Sequence, residues 1–256
     1  MTIHIILLRD IISPTLKGKI KSDIKEKFGS SSDILDKINW EAKNTEYLTY
    51  AMLKKKFTFE TPFQKLESNT FGNTNVKVKY FGLDSTAGED AFKQVTVLFH
   101  NSDTDFAIKI DTLEGEDLIL YRTDNVDNFS DAYAEIIKKA KLFSGRKNMK
   151  YGDDILKIPF IKVNAIINYD ALCNKIIKNS NGAYLKFAIQ TVDFSLNNYG
   201  GNLTSEASVG ISKGISAVHP RYFNFTDTFV LYLKEKNKDL PYFALFIDSN
   251  NVLLRD

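Results

Sequence analysis

The chain carries one cysteine in 256 residues, so no disulfide forms within it and no CxxC metal or redox motif is possible. Cys173 therefore reads as a small apolar core residue. Histidine is nearly as scarce. His4, His100 and His219 have no ligand spacing, and neither HExxH nor a P-loop occurs, so no metal site and no cofactor is expected. Long apolar runs are missing as well: the opening "MTIHIILLRD" is far too short to span a bilayer. It also lacks the basic start and small-residue cleavage site of a signal peptide. The chain reads as cytoplasmic if complete and secreted if processed. An excess of one charge is absent too. Against 34 basic residues stand 32 acidic ones, a net charge of +2, so no global field draws the chain to nucleic acid or membrane. The cluster Leu53–Phe57 ("LKKKF") is read as a solvated strand end rather than a phosphate site. The one GxSxG string, "GISKG" (Gly210–Gly214), lies inside a Gly/Ser-rich stretch rather than between a strand and a helix, which argues against the nucleophile elbow of a Ser/His/Asp hydrolase. Sequons at Asn128, Asn202 and Asn224 are what chance supplies in so Asn-rich a chain.

What is there suffices for one large core. A chain of this length buries roughly 70–75% of its extended surface without help from metals or disulfides. Residues 3–8 read as a strand. Ser13–Gly29 follows as a helix: Ser13 is a cap, Pro14 suits the first turn, and Leu16, Ile20, Ile24 and Phe28 form a buried stripe. "SSSDILDKINWEAKN" opens with cap residues and reads as a second helix bearing Trp40, the only tryptophan. "EYLTYAMLKKKFTF" is a long strand. Beyond Pro62, strands are expected at Val76–Phe81, Val95–His100, Phe106–Ile110 and Leu118–Tyr121. Asn128–Phe143 is an amphipathic helix with Tyr133, Ile136, Ile137 and Ala140 on one face. "DDILKIPFIKVNAII" is strand and "YDALCNKII" a short helix. Leu185–Leu196 alternates with a phase slip near Gln190–Thr191 that suggests a bulge. Phe229–Leu233 and Tyr242–Ile247 suit strands buried on both faces. The expectation is one α+β domain over residues 1–256, with no repeats and no low-complexity tract.

One stretch resists this scheme. "SLNNYGGNLTSEASVGISKGISAVHP", residues 195–220, is built from Gly, Ser, Asn and Ala and lies between two strands. A connection of this length without structure of its own is a working loop or a linker.

The order of elements resembles the serpin superfamily. "KFTFETPF" (Lys56–Phe63) is similar to the family's "KGKWETPF", and "INWEAKNT" (Ile38–Thr45) to its "INxWVxxxT" helix with one residue fewer. "VTVLFHNSDTDFAIKI" matches "VLELPYxGxxxSMxIIL" in spacing, with Phe99, His100 and Ser102 in place of Pro-Tyr and Gly. "LKIPFIKVNAIINYDAL" resembles "VxLPKFKIExxYDL". "FTDTFVLYLKEKNKDLPYFALFI" reproduces the C-terminal hairpin without a gap, with Thr228 where the family has Pro. The resemblance is collinear from residue 3 to the C-terminus. It implies large mixed and antiparallel β-sheets, helices packed on one side and an exposed reactive-type loop at 197–220. It also implies that the helices which precede the family's first strand are missing.

In that family a protease cleaves the loop, which then enters the central sheet as a new strand and carries the acylated protease with it. An inserted strand must alternate its faces. With Gly200 at the family's glycine, one set is Gly201, Leu203, Ser205, Ala207, Val209 and Ile211, small or apolar throughout. The other is Asn202, Thr204, Glu206, Ser208, Gly210 and Ser212, with no apolar side chain larger than glycine. The hinge candidates are thus Gly200, Gly201, Leu203, Ser205, Ala207 and Val209. Burying Leu203 gains roughly 1.5–3 kcal/mol and overpacking costs about 1–3 kcal/mol, so insertion is slowed rather than forbidden. The scissile region is Lys213, Gly214, Ile215 and Ala217. Lys213 is its only basic residue and marks the bond for a trypsin-like enzyme. The implied function is inhibition of a serine or cysteine protease. The alternative is a non-inhibitory, truncated serpin that presents a surface to another protein.

Overall fold

A computed structural model describes residues 4–28, 35–36, 38–41, 46–54, 57–201 and 220–256. It divides into two compact units, Met1–Lys55 with Val163–Phe194, and Lys56–Lys162 with Ser195–Asp256. In chain order the strands are β1 (His4–Ile11), β2 (Glu46–Lys54), β3 (Phe57–Thr58), β4 (Gln64–Thr70), β5 (Lys77–Leu83), β6 (Val95–Ser102), β7 (Asp105–Asp111) and β8 (Glu116–Arg122). They continue with β9 (Ile155–Pro159), β10 (Ile161–Asn168), β11 (Tyr184–Leu196), β12 (Gly200–Gly201), β13 (Tyr222–Asn224), β14 (Phe229–Glu235) and β15 (Phe243–Ile247). The helices are α1 (Pro14–Phe28), α2 (Glu89–Lys93) and α3 (Phe129–Leu142).

The first unit holds a four-stranded mixed sheet in the order β1-β2-β11-β10. β1 and β2 are antiparallel, whereas β2 and β11 run parallel from Tyr184↔Glu46 to Asp193↔Lys54. The Ser13 hydroxyl accepts the Leu16 amide at 3.1 Å, the cap expected for α1. Leu16, Ile20 and Ile24 then bury against Leu48, Tyr50, Met52 and Ile189. The second helix is not formed over residues 38–41. Asn39 Oδ1 accepts the Glu41 amide at 3.0 Å, and the Trp40 indole N–H takes the Leu35 carbonyl at 2.6 Å. Both bonds offer the backbone a turn instead of a helical ladder.

The bulge in β11 also lies elsewhere than the alternation suggests. The register slips at Lys186, between Leu185 and Phe187, and runs unbroken past Gln190–Thr191. The cause is local: the Lys186 ammonium reaches Glu46 Oε2 at 2.6 Å, and Tyr184 OH donates to the other carboxylate oxygen at 2.6 Å. The apolar phase slips for a different reason. Phe187 and Ile189 pack into the α1 cluster, but Val192, Phe194 and Leu196 bury the opposite face. "YDALCNKII" contributes only a 3-10 turn at Asp170–Leu172, followed by Asn174 at φ 59°.

The second unit contains an antiparallel five-stranded sheet, β15-β14-β8-β7-β6, a mixed four-stranded sheet, β13-β9-β5-β4, and the small pair β12-β3. β8 and the apolar run of β14 are buried along their whole length, as continuous apolar runs require. β15 is an edge strand and only partly buried, so its run is covered on one side. α3 is capped by Asn128, whose side chain accepts the Asp131 amide at 2.8 Å. Its Tyr133 and Ile136 pack on Phe99, Tyr121, Val230 and Tyr232 of the five-stranded sheet, whereas Ile137 is exposed. Two elements are too short or too polar for apolar periodicity to show. β4 ("QKLESNT") is an edge strand defined by its pairing with β5, and α2 is a single turn and a half.

Candidate functional site

The segment singled out in the sequence enters and leaves the structure at two well-defined places, both in the second unit. On the near side, β12 is antiparallel to β3, with Gly200↔Thr58 and Gly201↔Phe57. The chain reaches it through a tight turn. The Asn197 amide donates to the Gly200 carbonyl at 2.8 Å, and the Gly200 amide returns to the Asn197 carbonyl at 3.1 Å. Gly200 thus pairs on one side with Thr58 and on the other with Asn197. It closes the turn from Asn197 and at the same time opens the two-stranded pair β12-β3.

Only glycine fits there. Gly200 has φ +128°, and a Cβ would stand 2.3 Å from the Phe57 carbonyl oxygen. At Gly201 a Cβ would meet the Phe57 ring at 2.7 Å. The preceding residues add further bonds to the "FTFETPF" stretch. The Phe59 amide donates to the Tyr199 carbonyl at 2.9 Å and the Phe63 amide to the Asn198 carbonyl at 2.8 Å. Asn198, buried, returns its carboxamide N–H to the Phe63 carbonyl at 3.2 Å.

That stretch is itself held firmly. The Glu114 carboxylate accepts both the Thr58 amide (2.7 Å) and the Thr58 hydroxyl (3.0 Å). Buried Gln94 mimics a neighbouring strand: its Oε1 accepts the Thr61 amide at 3.1 Å and its N–H reaches the Thr61 carbonyl at 2.7 Å. Behind it Phe57, Phe59, Phe63 and Phe81 stack edge to face or tilted, at centroid distances of 6.0, 4.9 and 5.9 Å along the series.

On the far side, Arg221 and the short strand β13 follow Pro220. β13 runs parallel to β9, Tyr222↔Ile155 to Asn224↔Lys157. Asp154, fully buried, gathers Arg221 Nη2 at 2.7 Å, Arg146 Nη2 at 2.8 Å and the Lys150 amide at 2.8 Å. Burial pushes the Asp154 carboxyl upward, but the Arg221 hydrogen bond and the Lys150 amide outweigh it and hold the group below its ordinary value. Phe223 packs edge-on to His100 and Phe106 at 5.0 and 5.4 Å. Burial first, and then Arg221, keep His100 below the usual imidazole range. Among the described residues no group of three or more His, Cys, Asp or Glu could hold a metal ion, and no helix is long and apolar enough to cross a membrane.

Of the predicted site residues, Gly200 and Gly201 stand in β12. Leu203, Ser205, Ala207, Val209, Lys213, Gly214, Ile215 and Ala217 lie outside the described residues. Asn198, Glu114, Gln94, Asp154 and Arg221 were not foreseen, because each acts on a backbone or a charge remote in sequence. The one available signal was "NNYGG", in which two asparagines precede a glycine pair.

No protein-family model and no curated protein sequence matches the chain. Solved structures do. Mouse protein-Z dependent protease inhibitor superimposes with a TM-score of 0.63 at 13% identity, over 95% of this chain and 73% of that one. Maspin gives 0.57 at 15%, over 95% and 75%. Thyroxine-binding globulin in complex with thyroxine gives 0.60 at 14%, over 91% of this chain. The chain spans 63% of that protein's length. Such identities carry architecture, and the architecture agrees with the order of motifs in the sequence: the chain has a serpin-like fold.

Proposed function

We propose that the chain is a serpin-type inhibitor of a serine or cysteine protease, acting through residues 197–220. The protease attacks the segment near Lys213 as a substrate, and the cut segment then extends from Gly200 as a new strand. The observation that carries this reading is the position of Gly200, paired at once with Thr58 and Asn197. A strand that starts in this way runs antiparallel to its partners, and each residue added to it closes further ladder bonds, a gain that drives insertion. The alternation from Gly201 to Ile211 supplies a small or apolar side chain at every second position of that strand. In this reading the chain is not an enzyme.

The test is incubation with a trypsin-like and a caspase-like protease, followed by a denaturing gel and a thermal melt of the cleaved protein. A band that survives denaturation, together with a higher melting temperature after cleavage, is expected. Plain cleavage with neither effect overturns inhibition. It favours instead a non-inhibitory serpin-like scaffold that presents a surface to another protein. One observation supports that second reading: thyroxine-binding globulin, a neighbour in fold, is described by its complex with thyroxine rather than with a protease. If it holds, Lys213→Ala leaves the partner's binding intact.

A further inference from the structure

β13 is three residues long and stands at the edge of its sheet, with Phe223 buried behind it. So short a ladder leaves the chain at Arg221 to be fastened by contacts other than its own strand bonds. The geometry assigns that task to Asp154: we infer that this carboxylate is a positioning residue that fixes the far end of the segment by holding Arg221. Asp154 Oδ1 accepts the Arg221 backbone amide at 3.2 Å and Nε at 3.3 Å, and Oδ2 accepts Nη2 at 2.7 Å. Four of the guanidinium's five N–H groups are then committed to fixed partners. Its Nη1 donates to the Arg146 carbonyl at 2.7 Å and its other Nη2 bond goes to the Asn148 carbonyl at 3.0 Å. The plane of the fork also lies over the Phe223 ring, 5.1 Å from its centroid. Arg146 and the Lys150 amide hold the carboxylate from behind, so it cannot follow Arg221 outward.

An ammonium could not do the same, because a lysine has no planar fork to share between one carboxylate and two carbonyls. The consequence is a segment fixed at both ends within one unit: by Gly200 and Gly201 at β3, and by Arg221 at Asp154. The inference concerns the same segment as the inhibitor reading and deepens it. It stands or falls separately, since it makes no use of a protease.

Hydrogen exchange on the intact chain tests it. The Phe225 amide donates to the Lys157 carbonyl at 2.8 Å and the Ile155 amide to the Arg221 carbonyl at 3.0 Å, so both report on β13. Asp154→Asn is expected to speed exchange at these amides by a factor of ten or more, with β14 and β8 unchanged. Arg221→Lys, which keeps the charge and leaves the rest of the Asp154 cluster in place, is expected to give a smaller acceleration confined to the same amides. A uniform acceleration over β8, β9, β13 and β14 in both variants would make Asp154 a general stabiliser and overturn the assignment. Unchanged exchange at Phe225 would overturn it as well. Absence of a protease complex in the wild-type chain leaves this result untouched.

Discussion

Gly200→Ala is the sharpest perturbation of the near end of the segment. The residue sits at φ +128°, a region that only glycine populates readily, and holding another residue there costs about 1–3 kcal/mol. The new Cβ would also lie 2.3 Å from the Phe57 carbonyl oxygen and 3.0 Å from Thr58 Cα, both main-chain atoms that no rotamer change can move aside. β12 must therefore withdraw from β3. That loosens the Asn197–Gly200 pair and the Phe59–Tyr199 bond, each worth roughly 0.5–1.5 kcal/mol. A loss of about 3 kcal/mol follows, or roughly 6–12 °C in Tm for a unit of this size. Thermal melts give the global figure, and exchange at the Phe59 and Phe63 amides gives the local one. Gly88→Ala is the control: at φ −67° with nothing within 4 Å of the new Cβ, it should leave Tm unchanged or slightly raised. Gly201→Ala should fall between, since its obstacle is the Phe57 ring rather than backbone. The reasoning fails if Gly200→Ala melts with the wild type and keeps the Phe59 amide protected.

Acid should act through the far end. The Asp154 carboxyl is held below its ordinary value of 3.8 in the fold, so its contribution is complete above that value and is lost as pH falls through the folded pKa. Urea midpoints should therefore drop below about pH 4, and Asp154→Asn should flatten that limb of the profile. Within α3, Ile136→Ala should cost about 2–5 kcal/mol, because it empties a site among Tyr133, Tyr232 and Val230. Ile137→Ala, on the exposed side of the same helix, should change urea stability by less than about 0.5 kcal/mol.

The likeness between these predictions and the sequence pattern is uneven, for physical reasons. Apolar periodicity showed α1, α3, β5 to β8 and β14, since each buries a continuous stripe or run of its own residues. It failed where a polar contact rather than burial decides the backbone. Lys186 leaves the register to reach Glu46, and nothing about a lysine in an alternating strand announces a bulge. At residues 38–41, Asn39 and Trp40 give the backbone a turn where the sequence suggests a helix. β4 is a strand because β5 lies beside it, so its own residues carry no trace of the fact.

The candidate site divides along the same line. A glycine pair after an apolar strand signals a close backbone approach, and that much was legible at Gly200 and Gly201. The alternation beyond them stays a sequence expectation, because residues 202–211 lie outside the described residues. Asp154 had no such signature. It reads as one acidic residue before a strand, and its function comes from Arg146, eight residues back, and Arg221, 67 residues on. A carboxylate acquires a fixed, depressed pKa only when the fold brings donors to it, here after burial has first pushed it the other way. The near end of the segment is thus fixed by a backbone that any reader of glycines can suspect, and the far end by a charge that only the packed sheets reveal. On the inhibitor reading proposed above, a cut segment needs both: the first is the strand it extends, and the second holds its distal side beside the three edge pairs of β13.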